Sequence, residues 1–193
     1  MKNIFAKTLS IVLLTILAAG FTYQQAEAQF SIGASYEIRS NNPTNGFGIR
    51  IENDLPLKLP LVAIGVRAQF SNFSEKNSLT TNSVTYDQKL DHYNIGLLAL
   101  AKVKLGLLSP YAGLGIGTNH LNVKNTGPIS FGGPKNKTKI YYEGVLGASA
   151  TLLPLIHPFI EYRLQKNNIS GVINGYRAKD SNGIWAFGVS LQF

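Results

Sequence analysis

The chain closes on Gly183-Ile184-Trp185-Ala186-Phe187-Gly188-Val189-Ser190-Leu191-Gln192-Phe193. Taken every second residue, one face carries Trp185, Phe187, Val189, Leu191 and Phe193, and the other carries Ala186, Gly188, Ser190 and Gln192. Side chains of an extended chain point alternately to opposite sides, so this is a period-2 strand with a large aromatic face and a small polar one. An exposed edge of that composition in water templates aggregation. Inside a bilayer, hydrocarbon solvates the aromatic face, provided the strand closes a barrel and leaves no backbone group unpaired.

The same alternation recurs toward the N-terminus and predicts about eight strands. The first, 29–40, sets Phe30, Ile32, Ala34, Tyr36 and Ile38 against Glu37 and Arg39. The second, 45–55, sets Phe47, Ile49 and Ile51 against Gly48, Arg50 and Glu52. The third, 61–74, sets Val62, Ile64, Val66, Ala68 and Phe70 against Gly65, Arg67 and Gln69. In the fourth, 88–106, Tyr93, Ile95, Leu97, Ala99, Ala101 and Val103 are placed outward. The fifth, 109–123, alternates Ala112, Leu114 and Ile116 with Tyr111, Gly113, Gly115 and Gly117. In the sixth, 139–153, Tyr141 and Glu143 point inward and Tyr142, Leu146 and Ala148 outward; in the seventh, 157–166, Ile160, Tyr162 and Leu164 oppose Glu161 and Arg163.

Short Pro-containing links at 54–60, 105–110 and 153–158 alternate with polar links at 41–44, 75–87, 124–138 and 167–182. That order suits a transmembrane barrel with both termini periplasmic, short periplasmic turns and longer external loops. Only 15 % of the residues are charged, and the net charge is +8. Glu37, Arg39, Arg50, Glu52, Arg67, Glu143, Glu161 and Arg163 all fall on the small-residue face. An Arg facing hydrocarbon at the midplane costs about 2–4 kcal/mol, so these eight are expected inside, pairing across a narrow lumen as a plugged ionic core. Tyr36, Phe70, Tyr93, Tyr162 and Trp185 are expected to form the outer aromatic girdle, with Leu191 and Phe193 at the periplasmic rim.

Residues 1–28 read as a signal peptide: Lys2 and Lys7, a short apolar run over 9–21, then Ala26-Glu27-Ala28 for cleavage. The run falls short of the ~20 residues a spanning helix needs. The predicted domain is therefore 29–193. Zero cysteines exclude a disulfide frame, thiol chemistry and a lipoprotein anchor.

Chemical motifs are sparse. Gly113-Leu-Gly115-Ile-Gly117 lacks the spacing and the strand–helix context of a nucleotide loop, and its glycines fall on the inward face, where space is short. His92, His120 and His157 show no metal-ligand spacing. Glu143 and Glu161 could form an acid/base pair, but Arg67 and Arg163 on the same face favour a salt-bridge network. Two basic loops, one with Lys124, Lys135, Lys137 and Lys139 and the other with Lys166, Arg177 and Lys179, suit anionic partners such as lipopolysaccharide phosphates. The alternative is that these cations only solubilise the loops. No cofactor, metal site or catalytic residue is predicted.

The terminal Trp185, Phe187, Val189, Leu191 and Phe193 resemble the C-terminal insertion signal of bacterial outer-membrane β-barrels. The region 29–193 resembles the small eight-stranded barrels of the OmpA-transmembrane and OmpX-like type, in the form seen in outer-membrane β-barrel domain proteins of Bacteroidota. The resemblance implies an all-β, closed antiparallel up-and-down transmembrane barrel in the outer membrane of a Gram-negative bacterium. It also implies a monomer, without enzymatic activity, inserted by periplasmic chaperones and the barrel assembly machinery, and with no nucleic-acid partner. The peptidoglycan-binding domain of full OmpA-type proteins is expected to be absent. Three roles follow: a structural or surface-interaction barrel, a narrow conduit for ions or small solutes, or a lipid-modifying enzyme. The His-then-Ser-Asn pattern of outer-membrane lipid hydrolases follows none of the three histidines.

Overall fold

The computed structural model describes residues 30–57, 61–81, 84–127, 135–153, 155–167, 171–173 and 176–193; the signal-peptide expectation lies outside them. Eight strands close a barrel: β1 (Phe30–Arg39), β2 (Asn45–Asp54), β3 (Val62–Thr81), β4 (Val84–Val103), β5 (Leu108–Thr126), β6 (Lys135–Ala150), β7 (Ile156–Asn167) and β10 (Ser181–Gln192). Between β7 and β10, the short β8 (Gly171–Ile173) and β9 (Tyr176–Ala178) pair as a separate two-stranded hairpin. The order β1-β10-β7-β6-β5-β4-β3-β2 is up-and-down, every neighbour pair is antiparallel, and β1 is paired to both β2 and β10. The ends are sewn by Phe193 N–H donating to Phe30 O at 2.8 Å. Closure is what lets every strand bury its backbone in lipid.

Polarity is inverted relative to a water-soluble barrel. Outward positions are apolar and exposed, among them Leu114 at 76 %, Leu146 at 66 % and Leu164 at 56 %, while Arg67 and Arg163 inside are 1 % exposed. The outer aromatics touch in sequence around part of the wall. Phe47 meets Phe70 and Phe70 meets Tyr93, each at 6.4 Å between ring centroids, and Tyr93 stacks on His120 at 4.6 Å. On the far side Tyr162, Trp185 and Phe187 continue the band.

The inward glycines of β5 are required by their neighbours. A Cβ on Gly117 would lie 2.2 Å from Ile95 O and 2.6 Å from the Tyr141 ring; one on Gly115 would lie 2.6 Å from Leu98 Cγ. Gly106, with φ +69°, makes the tight turn between β4 and β5.

Three expectations need correction. The stretch 75–87, expected as an external loop, is mostly strand, since β3 and β4 stay paired from Val62↔Val103 up to Thr81↔Val84. Ser74, Lys76, Ser78 and Thr80 stand on one face and Glu75 and Asn77 begin the other, so no sustained apolar alternation marks it. The ladder is reinforced across the strands by Ser74 donating to Asp91 (2.6 Å), Ser78 to Asp87 (2.7 Å) and Thr80 meeting Thr85 (3.0 Å). Likewise β5 runs on to Thr126 and β6 begins at Lys135, and the 167–182 link carries the β8–β9 hairpin. Third, the interior is not ionic alone. Leu98, Leu100, Tyr111 and Val145 form a buried apolar cluster within it, and Leu90, Leu121, Val123 and Ala178 form another at its external end.

Leu146→Arg places a cation on the lipid face beside Ala112 and Tyr162, at a cost of about 2–4 kcal/mol near the midplane. Refolding into vesicles, scored by the fast-migrating unboiled band on an SDS gel, is expected to fall sharply; wild-type yield would contradict the facing assignment.

Candidate functional site

Alternation delivers the inward charges and register decides their partners. Glu37, Arg39, Arg50, Glu52, Arg67, Glu143, Glu161 and Arg163 are all buried. Glu161 on β7 is the hub: Arg67 approaches at 2.7 Å, Arg50 at 3.0 Å and Arg163 at 3.5 Å, and the Tyr111 hydroxyl donates to it at 2.7 Å. Arg67 also donates to Glu52 at 2.8 Å, and Arg163 reaches Glu37 at 2.5 Å. Arg50 lies over the Phe159 ring, 3.2 Å from its centroid. Glu143 accepts amide donors instead, from Gln69 at 2.6 Å and Gln165 at 3.0 Å. Arg39 stands apart near the external end, bonded to His92 and 5.0 Å from the Phe73 ring centroid.

The sequence reading missed Lys102, Asp54, Gln69, Tyr111 and Gln165 as members of this network. Lys102 closes it at the turn end, bridging Glu52 and Asp54, the latter at 2.7 Å. The signal for Lys102 was present: it follows the inward Leu98 and Leu100 at period 2.

The loop end is cationic. Lys124 lies on β5, while Lys135, Lys137 and Lys139 share one face of β6 above Tyr141, where pairing with β7 begins. Lys179 follows β9 and is exposed; the side chain of Arg177 lies outside the described residues. Lys76, from the supposed 75–87 loop, and Lys89, on β4, join this group. Register sets Lys76 opposite Lys89 and Lys89 opposite Lys124, a row of three across adjacent strands. Lys89 pairs with Asp91 at 3.0 Å. The Ser74 hydroxyl and Lys89 hold the Asp91 carboxyl below its ordinary range, outweighing the opposing effect of its partial burial.

The histidines are dispersed. His92 is buried beside Arg39, His120 stacks outside on Tyr93 with Nδ1 2.7 Å from the Thr138 hydroxyl, and His157 meets Thr151 at the opposite end of the barrel. Among the described residues no group of three His, Asp or Glu side chains is placed to hold a metal.

A closed antiparallel barrel with an apolar exterior, an aromatic band and ion pairs inside defines an integral β-barrel protein of the bacterial outer membrane. The chain belongs to the outer membrane protein beta-barrel domain family, whose model matches residues 9–193. Solved structures share the fold. A major outer membrane protein of Thermus thermophilus aligns with a TM-score of 0.65 at 12 % identity, covering 88 % of this chain and 100 % of that one. Ail, the attachment invasion locus protein of Yersinia pestis, solved with the heparin analogue sucrose octasulfate, aligns at 0.55 and 16 % identity with the same coverage. Neisserial surface protein A aligns at 0.53 and 18 % identity, again over 88 % and 100 % of the two chains. No curated protein matches the sequence.

Arg67→Met keeps much of the side-chain length but removes the charge shared by Glu52 and Glu161. Breaking a buried pair from one side costs about 3–5 kcal/mol. The denaturant midpoint of the folded barrel in detergent is expected to fall accordingly, and an unchanged midpoint would show that the network carries no stability.

Proposed function

We propose that this protein is a non-catalytic, monomeric surface-interaction barrel whose external rim binds the phosphates of lipopolysaccharide, its lumen serving as a structural plug. The observation that carries the proposal is the Lys76–Lys89–Lys124 row. Like charges set directly opposite on adjacent strands are destabilising, and the two acids on β4 that flank the row, Asp87 and Asp91, balance it only in part. An anionic partner supplies the remainder. The position suits the outer-leaflet headgroups: Lys89 is four residues beyond the girdle residue Tyr93, about 13 Å along the strand. With strands tilted by about 35–45°, that is about 10 Å above the aromatic band.

Lys135, Lys137, Lys139 and Lys179 extend the positive field around the mouth, and Arg177 adds its charge in the same segment. The occurrence of a sulfated sugar with Ail shows that a barrel of this fold can present a polyanion site. The packed layer around Glu161 supports a plug over an ion conduit. The separation of the three histidines supports interaction over lipid hydrolysis. Insertion through periplasmic chaperones and the barrel assembly machinery belongs to the same proposal, supported by the alternating Trp185-to-Phe193 strand.

The test is native mass spectrometry of the detergent-solubilised barrel titrated with lipid A, comparing wild type with the triple variant Lys76→Glu, Lys89→Glu, Lys124→Glu. Three lysines at about 1 kcal/mol each correspond to roughly a hundredfold loss of affinity, and wild-type binding is expected to weaken with salt. Equal affinities would sink the proposal.

A further inference from the structure

Under the β8–β9 hairpin lies a cluster of buried side chains rich in hydrogen-bond donors. Arg39 and His92 are each 4 % exposed, and Asn167 and Asn182 each 3 %. Together with Lys179 they line a small cavity at the external end of the lumen. The hairpin roofs it: the Tyr176 hydroxyl donates to Asn42 O, and Ala178 packs into the apolar cluster with Leu90 and Val123.

Elementary hydrogen-bond inventory fixes which atoms face the cavity. A guanidinium only donates, so in the Arg39–His92 contact the His92 Nδ1 accepts and the ring proton sits on Nε2. Arg39 Nε has no hydrogen-bond partner among the described residues, and the Nε2 proton of His92 has none beyond the neighbouring Asn119 amide. Asn167 Oδ1 already accepts from Asn119, and Asn182 Oδ1 accepts from Asn41 at 2.7 Å. Each of these two amides also carries an NH₂ donor at the cavity wall. Among the described residues no carboxylate lies within ion-pair distance of Arg39; Glu37 on the same face of β1 is taken by Arg163 at 2.5 Å. A buried cation without a counter-charge is costly, and unsatisfied donors add to that cost.

We propose that this cluster is a binding site for a small monatomic anion of the chloride class, held by Arg39 with His92, Asn167 and Asn182. The size follows from the cavity, about 10 Å³, the room of a single water-sized particle; a phosphate or a sugar sulfate does not fit beneath the closed hairpin. The site is separate from the lysine row, which lies on the outer face of the wall.

The experiment is thermal unfolding of the folded protein in a non-ionic detergent at constant ionic strength, exchanging gluconate for chloride or bromide. Wild type is expected to show a saturable rise in midpoint with either halide. Arg39→Gln is expected to lose that response, whereas Lys104→Gln, which removes a cation beyond the far end of β4, keeps it. A wild-type midpoint indifferent to halide, or an undiminished response in Arg39→Gln, overturns the proposal. Should Arg39→Gln fail to fold, bromide-soaked crystals of the wild type decide: an anomalous peak within hydrogen-bond reach of Arg39 Nε upholds the site, and its absence overturns it.

Discussion

One carboxylate organises the interior. Glu161 receives Arg67, Arg50 and Tyr111 from three other strands and the more distant Arg163 from its own. A barrel needs something to fill its centre, because eight strands leave an interior just wide enough for side chains. An apolar filling would satisfy packing, but it would also erase the difference between the two faces of every strand, and with it the register. Here a charged face cannot turn to lipid, so each strand has a single permitted orientation, and Glu161 fixes how β2, β3 and β5 sit relative to β7. The glycines of β5 belong to the same constraint. They leave room for Leu98, Leu100 and Tyr141, which pack the space that the ion pairs do not occupy.

The network also separates the two ends of the molecule. Toward the periplasm, Lys102, Glu52 and Asp54 close it among polar side chains. Toward the outside, Arg39, His92 and a layer of amides lie under the β8–β9 hairpin. The ion pairs thus occupy the middle of the lumen, while the partner-directed chemistry of the proposed function lies at the external end. That is the usual division for a scaffold whose loops carry function.

The bilayer-spanning part of the fold was legible because its strands meet two solvents. Trp185, Phe187 and Val189 alternating with Ala186 and Gly188 state in one line which side faces hydrocarbon. Above the membrane that contrast disappears. Ser74, Lys76, Ser78 and Thr80 face water on one side of β3, and the extension of the β3–β4 hairpin to Thr81 and Val84 was unreadable for that reason. Alternation assigns a face and never a neighbour. It brought Glu161 and the arginines inside, but it could not say that three guanidiniums share one carboxylate. It also could not show that Glu143 would be met by the amides of Gln69 and Gln165, or that Lys76, Lys89 and Lys124 would stand in one row. Those facts depend on register, which long-range pairing alone supplies.

The most direct measurement compares two isosteric neutralisations, Glu161→Gln and Glu143→Gln, by the temperature at which the fast-migrating unboiled form converts to the slow one on an SDS gel. If Glu161 organises the interior, its variant converts far below wild type, because its guanidiniums lose their shared counter-charge. Glu143→Gln, whose carboxylate accepts the Gln69 and Gln165 amides and no guanidinium among the described residues, converts close to wild type. Equal conversion temperatures for the two variants would contradict the account.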